Sequence, residues 1–294
     1  MRFGVLLLPT DPWAETVDRV RRLEALGYDH LWTYDHLSWR RYRDRPWHAA
    51  IPWLTGVACA TSRVEIGTLV ASPNIRHPVT LAQDALTVDQ ISNGRFILGV
   101  GTGGIGFDST LFGDALDAQQ LSERLEEFVA LLDSMFREAT VSHDGRYYTV
   151  HEASVRAESV RKPRVPLAIA AGGRKNLGVV ARYGDAWITY GDTTGRDLTP
   201  AGTMTVVRRQ AERLEAACVA IGRDPSTIRR IYLIGNTEER PLASVEAFHD
   251  FVGRYSELGF HDLVFHHPRT DDPVWNEPEA IIEAIATEVL PRWR

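Results

Sequence analysis

Cysteine is scarce in this sequence, with Cys59 and Cys218 the only two among 294 residues. Cys218 falls among the apolar positions of a predicted helix, so we interpret it as a buried structural thiol. Neither cysteine has a catalytic setting, and the sequence contains no GxSxG elbow. These absences leave no candidate nucleophile of a familiar type.

The sequence also has no excess of basic residues, because it contains 33 Lys and Arg and 39 Asp and Glu, which gives a formal net charge of −6. Nucleic-acid binders are typically basic, so neither DNA nor RNA is an expected partner. The first apolar run, in MRFGVLLLPTD, stops at Pro9 and is too short for a signal-peptide core or a membrane span. With so few cysteines, this predicts a cytoplasmic protein without a membrane partner.

No repeat or low-complexity segment interrupts the chain, and one pattern recurs along it. A short apolar run of strand length is followed by a polar loop and then by a segment with apolar residues three and four positions apart. The predicted strands are residues 3–8, LWTYDH (31–36), VEIGTLVAS (64–72), FILGVG (96–101), PLAIAA (166–171), DAWITY (185–190), RIYLIG (230–235) and HDLVFHH (261–267).

Eight strand–helix units without a change in composition predict a single (β/α)8 TIM barrel over residues 1–294, since parallel strands need helical crossovers. An open doubly wound sheet is the alternative. One piece breaks the alternation: TVSHDGRYYTV, after the fourth long helix, is typical of a β-hairpin turning at Asp144-Gly145. In a barrel, catalytic residues lie where strands end and loops begin.

Two motifs are set aside on their context. Residues 99–104 match GxGxxG after a strand, but the residues that follow show no helical periodicity, which argues against a dinucleotide-binding fold. His266-His267 ends the eighth strand, yet no cluster of His, Cys and Asp has the spacing of metal ligands. We therefore expect no metal site.

Other strand ends carry candidate functional residues. Asp35-His36 ends the second strand, and glycine-rich ends follow the next strands at residues 99–104, at Ala170-Ala171-Gly172-Gly173-Arg174 and at Thr189-Tyr190-Gly191. Each glycine-rich end can be an ordinary turn, but three neighbouring ones favour a ligand with a phosphate and a planar ring. The loop SWRRYRDRPW is either a solvated charged surface or a mouth that attracts an anionic ligand. The aromatic and basic residues that it places near Asp35-His36 are Trp39, Arg40, Arg41, Arg43, Arg45 and Trp47.

Three stretches together resemble the bacterial luciferase-like monooxygenase superfamily of flavin- and deazaflavin-dependent barrel enzymes. They are GYDHLWTYDHL, VEIGTLVASP with RHPVTLAQDALTVDQISNGRFILGVGTGG, and PLAIAAGGRKNLGVVARYGDAWITYG. The resemblance covers most of residues 1–191. It implies a barrel with a hairpin-bearing insertion at about residues 139–165, and dimers are common in the family.

The resemblance also implies where a cofactor binds. Its ring would lie across the barrel mouth against a bulge in the third strand, with a cis peptide at Leu69-Val70. The residues implied to line the ring pocket are Gly101, Thr102 and Gly103, and those implied to meet the phosphate are Gly172, Gly173, Thr189, Tyr190 and Gly191.

Asp35-His36 resembles the branch of this superfamily that uses coenzyme F420, a 5-deazaflavin that carries two electrons as a hydride. That branch implies an oxidoreductase acting on a small organic substrate, with His36 as proton donor or acceptor. Asp35 would orient His36 or bond to the cofactor ring. Sugar-phosphate dehydrogenases of this branch carry a glutamate directly after Gly-Thr-Gly, and Gly104 stands there in this sequence.

Two alternatives remain open. One is an FMN-dependent monooxygenase supplied with reduced flavin by a partner reductase, and the other is a barrel that binds a flavin without catalysis. The substrate is not predicted, because the side chains expected to line its pocket come from the loops at about residues 38–50, 104–118 and 191–203, which contain no recognisable motif.

Overall fold

Eight parallel strands close into a barrel in the computed structural model, which describes residues 1–37, 39, 42–104, 107–113, 116–155, 157–191, 198–235 and 237–294. The barrel strands are β1 (Arg2–Leu6), β2 (His30–Thr33), β3 (Glu65–Thr68), β4 (Phe96–Val100), β7 (Leu167–Ala170), β8 (Ala186–Thr189), β9 (Arg229–Leu233) and β10 (Asp262–His266). Their order around the barrel is β1-β10-β9-β8-β7-β4-β3-β2. The predicted TIM barrel is confirmed, and the doubly wound alternative is wrong.

Helices follow the strands and cover the outside of the barrel, except for a short helix that lies in the segment after β4. They are α1 (Trp13–Ala25), α2 (Ala50–Ala60), α3 (Pro78–Ser92), α4 (Phe107–Thr110), α5 (Ala118–Arg137), α6 (Arg174–Tyr183), α7 (Pro200–Ala220), α8 (Val245–Glu257) and α9 (Ala280–Glu288). The helix signals in the sequence hold at α3, which has Pro78 in its first turn and ends at Asn93 in the left-handed region with φ 55°. Among the described residues, no helix has both the length and the apolar character needed to cross a bilayer.

The strands alternate between two hydrophobic clusters. Side chains such as Leu31 and Leu98 point outward into the large cluster shared with the helices, while Trp32 and Ile97, their neighbours in sequence, belong to a smaller cluster inside the barrel. Because both faces of each strand are buried, the strands read as continuous apolar runs in the sequence.

The predicted insertion contains an antiparallel hairpin of β5 (Val141–Asp144) and β6 (Thr149–Ala153). Asp144 pairs with Thr149, so the connecting loop spans residues 145–148 and is longer than the predicted turn at Asp144-Gly145. Glu127 on α5 explains the longer loop, since its carboxylate accepts hydrogen bonds from the backbone N–H groups of Tyr147 and Tyr148 at 2.9 to 3.2 Å.

The amino-terminal end of the barrel carries a buried ionic network. The Glu65 carboxylate, with its side chain 11% exposed, accepts hydrogen bonds from Arg2, Arg161 and Arg229 at 2.5, 2.8 and 2.9 Å. Burial raises the pKa of Glu65, but the positive charges of Arg229 and Arg2 and the hydrogen bond from Arg161 outweigh it and lower the pKa to about 2. Glu65 therefore remains ionised between these arginines.

His30 and Asp262 extend this network into the barrel. His30 is fully buried and accepts a hydrogen bond at Nδ1 from Trp32 Nε1 at 2.6 Å, so its proton lies on Nε2, 2.9 Å from Asp262 Oδ1. Burial lowers the pKa of His30, which keeps the ring neutral. Burial raises the pKa of Asp262, but hydrogen bonds from His30 and Arg229 more than offset it and lower the pKa below its usual range.

We expect the stability of the protein to fall between about pH 4.5 and pH 2, because unfolded glutamate takes up protons near pH 4.3 and folded Glu65 only near pH 2. The lowered pKa contributes about 3 kcal/mol above pH 4.5, and this is lost as the pH falls. Glu65→Gln should flatten this part of the profile. The measurement is urea unfolding followed by circular dichroism across this pH range.

The matched control is Glu158→Gln, because the Glu158 side chain is 86% exposed and its ion pair with Lys162 lies on the surface. This variant should keep the wild-type pH profile. If Glu65→Gln also keeps it, Glu65 does not contribute to the acid dependence.

Candidate active site

The carboxyl ends of the barrel strands bring the predicted site residues to one face of the molecule. Asp35 and His36 follow β2, Gly101 to Gly103 follow β4, and residues 171–174 follow β7. Thr189 is the last residue of β8, and Tyr190 and Gly191 come next. In parallel barrels this face carries the chemistry.

His36 lies beside a carboxylate that the sequence did not point to. Its Nδ1 makes a short hydrogen bond with Asp108 Oδ2 on α4, and 30% of the His36 side chain is exposed. Its ring meets those of Tyr34 and Trp47 edge to face, at 5.9 and 6.3 Å between centroids. His36 is thus oriented by groups from the loops after both β2 and β4.

Asp35 makes its hydrogen bonds to Arg76 and none of those observed go to His36. Arg76 donates from Nε to Asp35 Oδ2 at 2.9 Å and from Nη2 to Oδ1 at 2.7 Å, while the Asp35 side chain is 1% exposed. The hydrogen bond to Asp35 raises the pKa of Arg76. The carboxylate that contacts His36 is therefore Asp108, and the catalytic assignment of Asp35 stays a prediction.

The bulge after β3 has the predicted cis peptide between Leu69 and Val70. Val70 lies against the end of β4, because a Cβ at Gly101 would stand 2.7 Å from Val70 Cγ2. Gly103 has φ 70°, and a Cβ there would stand 2.3 Å from Asn74 Nδ2. A residue larger than glycine would therefore collide with a neighbouring side chain at either position. Thr102 lies between the two glycines, on the same stretch of backbone.

The loop after β7 leads into the amino terminus of α6. Gly173 is the N-cap residue. In the part of the chain that the structure describes, no side chain caps the first turn and no atom lies within 4 Å of where a Cβ at Gly173 would stand. Arg174 follows as the first helical residue and is exposed. Uncapped N–H groups at the positive end of a helix, beside an arginine, suit an anion such as a phosphate.

Gln210 on α7 joins the ends of β7 and β8. It accepts a hydrogen bond from the Thr189 hydroxyl at 2.6 Å and donates to the Gly191 carbonyl at 3.2 Å. A Cβ at Gly172 would stand 2.9 Å from its Nε2. Thr189 also accepts from the Gly191 N–H at 3.2 Å, so its hydroxyl is used within the protein, and a contact with a cofactor stays a prediction. Tyr190 is 39% exposed.

Aromatic rings form a wall beside His36. Trp39 stacks on Tyr42 at 5.9 Å and on His266 at 6.5 Å, and it packs against Tyr34 at 5.0 Å. Tyr34 also hydrogen-bonds through its hydroxyl to His266 Nε2 at 3.0 Å. Trp39 is therefore part of the mouth, and this face of the site is largely apolar.

The arginine-rich loop after β2 is held by the loop after β10. Arg45 forms an ion pair with Asp271, and the Tyr42 hydroxyl donates to Asp272 at 3.1 Å. Arg269 in turn donates to the same Asp272 oxygen at 2.5 Å. Arg40 and Arg41 lie outside the described residues, as do residues 38, 105, 106, 114, 115 and 192–197 of the three loops expected to line the substrate pocket.

His266 and His267 point to different sides of β10. His266 stacks on Trp275 inside the mouth at 4.7 Å, whereas His267 Nε2 lies 3.5 Å from Glu279 beside α9. Burial lowers the pKa of His267 to about 4, so its ring is neutral at physiological pH. Within the described part of the chain, no three His, Cys, Asp or Glu side chains are placed to hold a metal ion.

Comparisons with known proteins agree with this architecture. The sequence profile of a family described as luciferase-like monooxygenase matches residues 1–286. An F420-dependent glucose-6-phosphate dehydrogenase of Beutenbergia cavernae is 27% identical, over 92% of this chain and 90% of its own length. The protein of the same name from Kineococcus radiotolerans is 34% identical, over 76% of this chain and 64% of its own length.

One similar solved structure is an F420-dependent secondary alcohol dehydrogenase in complex with an F420-acetone adduct. It superimposes with a TM-score of 0.81 over 100% of this chain and 99% of its own, at 18% sequence identity. At that identity the likeness concerns the fold.

Proposed function

The chain belongs to the luciferase-like monooxygenase family, and we propose that it is an F420-dependent oxidoreductase that transfers a hydride between F420 and a small organic substrate at the mouth of the barrel. The observation that carries this proposal is the position of His36, which Asp108 holds at the same end of the barrel as the glycine-rich end of β4. The relatives named as F420-dependent dehydrogenases support the choice of cofactor.

The residues of the mouth fit a planar ring with an anionic tail. Glycine at 101 and 103 lets the backbone after β4 pack closely against Val70 and Asn74, because a Cβ at either position would collide with one of these side chains. This packing joins the cis-peptide bulge after β3 to the end of β4 as the proposed surface for a flat ring. The open N-cap of α6 at Gly173, with Arg174 beside it, can take the phosphate. These residues would hold F420 from both ends.

F420, when bound, accepts or donates the hydride. The role of the protein is to bind the substrate, orient it and move one proton. His36 is the group for that proton, because Asp108 occupies its Nδ1 and leaves Nε2 for a substrate hydroxyl or carbonyl. The aromatic wall around Trp39 excludes water from one side of the site.

The substrate class that suits this mouth is an alcohol or the corresponding carbonyl compound with an apolar portion. Trp39 and Tyr34 offer ring surfaces to that portion, close to His36. Arg45 and Arg269, which come near the wall, are already paired with Asp271 and Asp272. Gly104 stands where sugar-phosphate dehydrogenases carry a glutamate, and among the described residues no atom lies within 4 Å of where a Cβ at Gly104 would stand.

The decisive experiment tests which cofactor the protein binds. The purified protein is titrated with F420 and with FMN, side by side, by fluorescence and calorimetry. We expect binding of F420 and weaker binding of FMN. Tight binding of FMN without measurable binding of F420 would instead favour an FMN-dependent monooxygenase. Variants at Gly173 make the same titration report on the phosphate site.

Gly173→Asp should lower the affinity for F420 at least tenfold, because it places a negative charge where the phosphate would bind. Its fold should be intact, since Gly173 has φ −89°, a Cβ there meets no atom within 4 Å, and aspartate is a favourable N-cap residue. Gly173→Ala is the matched neutral control and should bind F420 with wild-type affinity. Equal affinities of the two variants would place the phosphate elsewhere.

A further inference from the structure

Asp108 is a buried carboxylate whose place in the chain gives no hint of a role. It lies on the short helix α4, its side chain is 9% exposed, and Oδ2 meets Nδ1 of His36, which is 72 residues earlier in the sequence. Its other oxygen, Oδ1, is buried and has no hydrogen-bond partner among the described residues. The contact with His36 is therefore not a by-product of a helix cap or of an ion pair with an arginine in that part of the chain.

We propose that Asp108 is the positioning residue of the catalytic histidine: its carboxylate fixes the tautomer and orientation of His36 so that Nε2 faces the substrate. The inference rests on the proposed function above and names the residue that makes His36 effective in it. None of the sequence motifs pointed to Asp108.

The tautomer follows from the chemistry of the contact. An ionised carboxylate only accepts hydrogen bonds, so the Nδ1 that faces Asp108 must carry the proton, and a neutral His36 has its lone pair on Nε2. When an alcohol is oxidised, its hydroxyl proton moves to Nε2 and a C=O bond forms, and the hydride on the same carbon would be taken up by the oxidised F420 of the proposed function. His36 is then positively charged, and the adjacent Asp108 carboxylate stabilises that charge. Reduction of a carbonyl runs the same transfers in reverse.

Asp108 lies four residues after Gly104, in the segment that follows β4, and its carboxylate reaches His36 from α4. The contact therefore joins the segments that follow β2 and β4 at the mouth of the barrel.

The first test is 15N NMR of the cofactor-free protein with labelled histidine, which reads the tautomer without any turnover. The chain has ten histidines, and the His36 signals are identified by their loss in His36→Gln. We expect the Nδ1–H tautomer in the wild type, a substantial Nε2–H population in Asp108→Ala, and a return towards the wild-type signals in Asp108→Glu. Asp108→Leu, which has a similar branched shape and no hydrogen-bond acceptor, replaces Asp108→Ala if that variant does not fold.

Glu127→Gln is the matched control, because Glu127 makes the same kind of contact with His143, at 3.0 Å on the hairpin. It should alter the signals of His143 and leave those of His36 unchanged. A wild-type tautomer at His36 in Asp108→Ala would overturn the inference, whatever the protein binds.

The second test is turnover of the F420-loaded enzyme with 2-propanol and with glucose 6-phosphate as hydride donors. In Asp108→Ala, kcat should fall about 10- to 100-fold with little change in KM, because the substrate contacts remain while the proton acceptor is misplaced. If Asp108→Ala loses both kcat and stability while His36 keeps its wild-type tautomer, Asp108 only holds α4 in place. If the wild type binds FMN and no F420, the proposed function fails, yet the NMR result still decides whether Asp108 positions His36.

Discussion

Replacing His36 by alanine is expected to lower kcat by about 10²- to 10⁴-fold while the affinity for F420 stays within a fewfold of the wild type. The loss is large because two described residues at the end of β2 could move the proton, and Asp35 is bound to Arg76 through both carboxylate oxygens. His36 contacts Asp108 through Nδ1, which leaves Nε2 for the substrate. The cofactor contacts are proposed for the glycine-lined backbone after β4 and β7, so binding does not depend on the imidazole. The measurements are F420 turnover with 2-propanol or glucose 6-phosphate and fluorescence titration of F420.

His151→Ala is the control for this variant, because His151 is exposed on β6 of the hairpin, which pairs with β5 and not with the barrel strands. It should leave both kcat and F420 affinity at their wild-type values. Unchanged turnover in His36→Ala would remove the histidine from the mechanism and favour a barrel that binds a flavin-like ligand without using this pair. Loss of F420 binding in His36→Ala would instead make His36 part of the cofactor site.

The sequence predicted the barrel because its physical requirements are periodic. Strands buried on both faces, such as residues 96–100, need unbroken apolar runs, and helices that cover them need apolar residues three and four positions apart. The same rule places strand ends at one face, so Asp35, His36 and Gly101 could be assigned to the mouth from the sequence alone. Boundaries were less exact: the third strand was expected over residues 64–72 and ends at Thr68, where the chain enters the bulge.

The partners of those residues could not be predicted, since they depend on loop conformations that have no periodicity. Asp108 and Arg76 reach the mouth from loops 72 and 41 residues away from their partners His36 and Asp35. Gln210 acts from the middle of α7, where the sequence shows only helical spacing. The cis peptide at Leu69-Val70 followed from the family resemblance, because no residue preference points to a non-prolyl cis bond.

Removing Arg76 should destabilise the protein by about 3 to 5 kcal/mol, because it leaves the buried Asp35 carboxylate without its counter-charge. In Arg76→Met the two hydrogen bonds at 2.7 and 2.9 Å are lost, and the Asp35 side chain is only 1% exposed to water. Asp84 adds to the effect: burial raises its pKa, Arg76 opposes that rise, and Asp35 adds to it. Without Arg76 two acidic side chains would face each other with no cation between them.

A double-variant cycle separates the cost of an unpaired charge from the worth of the pair. Arg76→Met combined with Asp35→Leu should recover most of the free energy of unfolding, since no buried charge remains, and urea unfolding at pH 7 measures each corner of the cycle. Lys162→Met is the matched control: its ion pair with Glu158 is 68% and 86% exposed, and its loss should change stability by less than about 1 kcal/mol. If Arg76→Met costs no more than this control, Asp35 does not depend on Arg76, and its carboxylate would be available for the catalytic role that the sequence predicted. If the double variant is stable but loses turnover, the Asp35–Arg76 pair contributes to activity at the mouth as well as to stability, and turnover of a stable Arg76→Met variant, which keeps Asp35, tells whether the carboxylate or the pair is needed.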